Sequence, residues 1–110
     1  MSKSNQMSQS FVMSNDAVRF ATMIMTGQGV SNEDAAIIAE CLVEADLRGV
    51  QTHGLSRLPV YVERVQRGLV KAVPKMKLDK PVAACASLDG DNAFGFLVGR
   101  RAMQEAITMA

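Results

Sequence analysis

Apolar residues return at intervals of three and four along most of this chain, the mark of helices that bury one face. Val18, Ala21 and Met25 recur this way, with Phe20 and Ile24 beside them, which predicts a helix with Ser14 as N-cap and Asp16 in its first turn. Gly27 and Gly29 end it. A second start follows at Ser31, where Asp34 makes a weaker relative of the Ser-x-x-Glu capping box and Glu33 adds negative charge at the dipole's positive end. Ile37, Ile38, Cys41, Leu42 and Ala45 then share a face as far as about Arg48, before Gly49. This placement makes Cys41 a buried core thiol, since a reactive cysteine wants an electropositive, partly exposed setting. A third helix is expected from about residue 56 to 66, with Leu58, Val62 and Val65 as its stripe, Gly68 as its stop and Pro59 confined to its first turn.

Beyond Gly68 the pattern shortens. Residues 75–78 and 82–88 read as extended pieces separated by Asp79, Lys80 and Pro81, and the second piece, VAACASL, reads as a buried strand. Asp89, Gly90, Asp91 and Asn92 form a turn, with Asn92 as cap of a last helix carrying Phe94, Leu97, Val98, Ala102, Ala106 and Met109. No Gly, Pro or basic stop signal follows before Ala110, so this helix reads as cut short. Gly95 and Gly99 form a GxxxG, expected to mean close helix packing, and Met23, Met25, Met103 and Met109 read as core filler. Residues 1–13 show no periodicity and read as a flexible lead-in. The fold class expected is α+β and helix-rich: a helical region, a short extended segment and a further helix.

Composition narrows the function. With 110 residues there is one domain at most, and 48% hydrophobic against 21% charged residues argues against disorder. A net charge of +1 removes both the basic footprint of a nucleic-acid binder and a polybasic case for membranes. No apolar run approaches the roughly 20 residues of a membrane span, and no signal-peptide core is present. Cys41 and Cys85 have neither a CxxC neighbour nor a histidine at metal-ligand spacing, which predicts a reduced, cytoplasmic chain without a metal.

Catalytic residue types gather in one place: Arg48, Gly49, Gln51, Thr52, His53, Gly54, Arg57 and Tyr61, including the sole His and the sole Tyr. On a helical wheel with His53 at zero, Arg57 lies at about 40° and Tyr61 at about 80°, away from Leu58, Val62 and Val65 at about 140°, 180° and 120°. On spacing alone, a solvated helix face with a loop histidine is the plainer reading. The functional reading has a mechanism, however. A neutral imidazole exchanges protons near physiological pH, and an arginine one turn away grips a carboxylate with two parallel bonds. Together they suit an acid whose neighbouring oxygen gains or loses a proton. No GxGxxG, GxxxxGK[ST] or GxSxG occurs, which excludes the usual nucleotide loops and the hydrolase elbow. Glu40, Glu44 and Asp46 read as solvated carboxylates on the wet face or end of their helix.

The run EADLRGVQTHGLSRLPVYVERVQRGLV, residues 44–70, resembles the N-terminal region of the malate/L-lactate dehydrogenase family, nicotinamide-dependent 2-hydroxy acid oxidoreductases that include sulfolactate, ureidoglycolate and diketogulonate-type enzymes. The resemblance extends upstream through DAAIIAECLVEADLRG and downstream through LDGDNAFGFLVGRRAM. It implies His53 as catalytic acid/base, Arg57 at the substrate carboxylate, and Thr52 and Tyr61 lining the same site. Thr52 stands where Ser is frequent, and Val50 and Gln51 replace a common His/Val-Asp pair. Arg48 matches the arginine of the family's DLRG and carries no implied substrate role. The resemblance further implies a 2-hydroxy or 2-keto acid substrate, NAD or NADP held mostly by elements outside this chain in a non-Rossmann arrangement, and a homodimer of the full-length protein. Residues 14–110 then form a truncated N-terminal part, inactive alone. The competing readings are a small helical interaction module without catalysis and, behind it, a helix-turn-helix nucleic-acid binder, whose connection here is long and whose charge is low.

Overall fold

A computed structural model of the chain describes residues 13–110. Its elements in order are α1 (Ser14–Gly27), α2 (Asn32–Leu47), two single-turn 3-10 helices (Gln51–His53 and Leu55–Arg57), α3 (Leu58–Gln66), β1 (Lys77–Val82), β2 (Cys85–Asp89) and α4 (Gly95–Met109). The helix-rich α+β expectation therefore holds. Residues 1–12 of the expected lead-in lie outside the described residues.

The second helix starts as its local signals dictate. The Ser31 hydroxyl accepts the Asp34 backbone N–H at 3.2 Å, satisfying one of the donors a helix start leaves unpaired. At α1 the cap shifts by one residue. Met13, with an extended ψ of 137°, precedes the first helical residue, Ser14, and makes no side-chain capping bond. Gly49, at φ +80°, takes the left-handed conformation that lets the chain leave α2 and turn into the 3-10 segment.

The core lies between α1 and α2 and is closed by the starts of α3 and α4. Met25, Ile38 and Leu42 are fully buried, with Ala21, Ala35, Ala39, Leu58, Phe94 and Leu97 around them. Alanines on the facing sides of α1 and α2 allow the two helices to approach closely. Several expected core positions are not in it. Phe20, Met23 and Met103 are exposed, and Cys41 is half-buried at the margin, where burial pushes its thiol pKa up. Of the four methionines read as filler, only Met25 is fully buried.

The extended region is a two-stranded antiparallel hairpin whose turn falls at residues 83–84. Asp79, Lys80 and Pro81 thus belong to β1 instead of separating two strands. Proline is tolerated there because the register slips: Asp79 pairs with Ser87 and Val82 with Cys85, leaving two residues on β1 opposite one on β2. The expectation of a buried second strand fails, for β2 is exposed at every residue but Leu88. Among the described residues α4 faces the hairpin only across an open groove between Ala86 and Leu88 on one side and Ala102 and Ala106 on the other, which leaves the strand's small apolar residues in solvent.

Asn92 does not cap α4. Asp91 and Asn92 both adopt left-handed backbone, at φ 52° and 56°, and the helix begins after Phe94. Asp91 instead holds this bend to the preceding strand of chain, accepting from Lys71 Nζ at 2.7 Å and from the Lys75 N–H at 2.9 Å. The GxxxG of α4 mediates no close packing, since a Cβ at Gly95 or Gly99 would meet open space.

Candidate active site

The polar cluster runs from the end of α2, where Arg48 and Gly49 lie, through the two 3-10 turns to Tyr61 in the first turn of α3. His53 does not share a regular helix with Arg57 and Tyr61, because Gly54 breaks the chain between the two 3-10 turns. The turns are closed by backbone bonds from His53 N to Val50 O, Gly54 N to Gln51 O and Arg57 N to Gly54 O, of 3.1, 3.3 and 3.0 Å. The Ser56 hydroxyl adds a bond to the Gln51 carbonyl at 2.8 Å. The segment 51–57, which lies outside the α-helices, is thereby held in one shape.

Within this frame Thr52 and His53 meet. The threonine Oγ1 lies 2.9 Å from the ring Nδ1, and both side chains are exposed. With Nδ1 engaged by the hydroxyl, Nε2 is the ring nitrogen that has no hydrogen-bond partner among the described residues. Arg57 and Tyr61 form a second pair, with the guanidinium carbon 5.9 Å from the ring centroid; Arg64 stacks on the same ring at 5.8 Å. Tyr61 itself is wedged edge-on against Phe94 and Phe96, at centroid distances of 5.6 and 5.7 Å. This corrects the wheel, which pointed Tyr61 away from the core: its ring packs on the core's edge and anchors Arg57 there. No hydrogen bond joins one pair to the other among the described residues.

Charge pairing separates the arginines. Arg48 pairs with Glu44 at 2.7 Å, whereas Arg57 makes no ion pair among the described residues and is free to take a carboxylate. Asp46 is the residue that the sequence reading misplaced. Read as solvated, it is half-buried, and its Oδ2 accepts the Leu55 N–H at 2.9 Å. Its eight-residue spacing from Gly54 was the one signal available.

A dinucleotide needs backbone N–H groups gathered round its phosphates. The described residues do not fit that task, since no glycine-rich loop leads into a helix and α4's glycines stand in open space. Nor do three His, Cys, Asp or Glu side chains gather to hold a metal ion among the described residues. No helix of these residues is long and apolar enough to cross a membrane.

The family model described as malate/L-lactate dehydrogenase matches residues 12–110. A malate dehydrogenase of Pyrococcus abyssi is 41% identical over 91 residues, which cover 83% of this chain and 25% of that protein. An NAD(+) ureidoglycolate dehydrogenase of Escherichia coli O157:H7 is 38% identical over 82 residues, 74% of this chain and 24% of that one. Among solved structures, the sulfolactate dehydrogenase of Methanocaldococcus jannaschii superposes with a TM-score of 0.87 at 34% identity, over 92% of this chain and 29% of that chain. The chain thus spans about a quarter of the length of the curated relatives it matches.

Proposed function

Because the chain belongs to the malate/L-lactate dehydrogenase family, we propose that residues 14–110 form the N-terminal, acid-binding and proton-transfer part of an oxidoreductase that moves a hydride between NAD or NADP and a 2-hydroxy or 2-keto acid. The observation that supports this reading is an exposed imidazole bonded at Nδ1 and, four residues on, an arginine without an acidic partner among the described residues, on two turns held by backbone bonds. Arg57 holds the substrate carboxylate. His53, with Thr52 on Nδ1, gives a proton from Nε2 to the keto oxygen during reduction and takes the hydroxyl proton during oxidation. Tyr61 lines the site and keeps the guanidinium in place. The hydride belongs to the nicotinamide, held by elements beyond these residues, and residues 1–110 alone turn over no substrate.

In this reading the whole protein is a cytoplasmic homodimer. The dehydrogenase names of the relatives favour the enzyme over a helical interaction module or a nucleic-acid binder. The test is a panel of 2-keto acids offered to the intact enzyme with NADH or NADPH. Saturable cofactor oxidation with at least one 2-keto acid, and none with the matching aldehyde that lacks the carboxylate, is the expected result. Equal rates with the aldehyde would remove the carboxylate grip from the account.

A further inference from the structure

An acidic residue in the last turn of a helix faces the negative end of the helix dipole, so its retention there asks for a local partner. Asp46 occupies that place in α2, and its partner is a backbone group nine residues on, the Leu55 N–H. Leu55 opens the second 3-10 turn, where the first N–H groups have no partner within the turn. The carboxylate therefore serves as an external cap for the turn that carries Arg57. It also touches the end of the preceding turn. Gly54 is buried, and a Cβ built on it would run into the Asp46 carboxylate. The close approach of this carboxylate leaves no room for a side chain at the residue after His53.

We propose that Asp46 is a positioning residue for the site: by bonding the Leu55 N–H and packing on Gly54, it fixes the bend between the turn bearing His53 and the turn bearing Arg57. It has no contact with substrate in this assignment and acts only through those two neighbours. The inference rests on the reading of His53 and Arg57 as the proton-transfer and acid-binding groups.

The experiment compares Asp46→Ala, Asp46→Asn, Gly54→Ala, the Asp46→Ala/Gly54→Ala double variant and His53→Ala in the intact enzyme, by kcat, KM for the acid and NADH affinity. Asp46→Ala is expected to lower kcat/KM about 10- to 100-fold through displaced groups, with NADH affinity kept. Asparagine retains an oxygen that can accept the Leu55 N–H, so Asp46→Asn is expected to recover most of the loss. Gly54→Ala presses a methyl on the same carboxylate, so the double variant is expected to lose far less than the product of the two single losses. Parent-like kcat and KM in folded Asp46→Ala, an asparagine variant as impaired as the alanine one, or fully multiplicative losses would each overturn the proposal. If Asp46→Ala does not fold, Gly54→Ala decides: lowered kcat with NADH affinity kept supports it, and parent kcat overturns it. Parent-like turnover in His53→Ala would instead overturn the reading on which the inference rests, so the two failures are distinct.

Discussion

The Thr52 hydroxyl and the His53 ring Nδ1 lie 2.9 Å apart, a hydrogen bond between adjacent residues on a single 3-10 turn. Two neighbouring side chains meet this way because the turn is tight and its ends are closed by backbone bonds to Val50 and Gln51. The bond engages Nδ1 and leaves Nε2 as the nitrogen that would face the substrate in the proposed reaction. Thr52→Ser keeps the hydroxyl and is expected to leave turnover near the parent value. Thr52→Val removes it, and a net hydrogen-bond worth of about 0.5–1.5 kcal/mol corresponds to a roughly 2- to 12-fold loss of kcat. Steady-state kinetics of the two variants checks this; equal turnover in both would show that the hydroxyl does not orient the ring.

Arg57→Lys retains the positive charge but loses the planar fork and the stacking on Tyr61. The expected outcome is weaker acid binding, with KM for the acid rising about 10- to 100-fold as a charge-assisted hydrogen bond is lost, and a smaller change in kcat. Unchanged KM across several 2-hydroxy and 2-keto acids would place the carboxylate elsewhere.

Leu42, fully buried between α1 and α2, bears the stability of the platform rather than its chemistry. Leu42→Ala is expected to cost about 2–5 kcal/mol, read as a lowered denaturant midpoint. A loss under about 1 kcal/mol would mean that the two helices close the cavity by moving together.

Asp91 ties the bend before α4 to residues 71 and 75, and the hydrogen bond from Lys71, followed by that from the Lys75 backbone, holds its carboxyl below the ordinary carboxylate range. A carboxyl with a lower pKa in the folded chain stabilises fully above its unfolded value, about 3.9. That stabilisation fades as pH falls through the depressed folded value. Asp91→Asn should therefore lower the denaturation midpoint at neutral pH, with the deficit disappearing in strong acid. A deficit of the same size at every pH would assign the effect to packing instead of charge.

What the sequence revealed depended on how local each signal was. The Ser31 cap was legible because donor and acceptor are three residues apart, and Pro59 in the first turn of α3 for a similar reason. Asn92 was misread because its left-handed backbone accompanies a bend held by Asp91's bonds to Lys71 and Lys75, up to 20 residues away. Pro81 looked like a strand breaker, since the register slip that accommodates it arises only when β1 pairs with β2 and leaves no trace in the residues around it. His53, Arg57, Thr52 and Tyr61 stood out as the only cluster of catalytic types, with their roles supplied by family resemblance. Asp46 was missed because an acid near a helix end looks solvated until the chain folds back and brings Leu55 to it.

In the proposed reaction His53 moves the proton. The most direct measurement of this is the turnover of His53→Ala in the intact enzyme with a 2-keto acid and reduced cofactor, with folding and cofactor affinity monitored alongside. The expected result is a loss of roughly 10²- to 10⁴-fold in kcat, the usual consequence of removing a positioned acid/base, with the fold and cofactor affinity preserved. Turnover close to the parent value in the folded variant would contradict it.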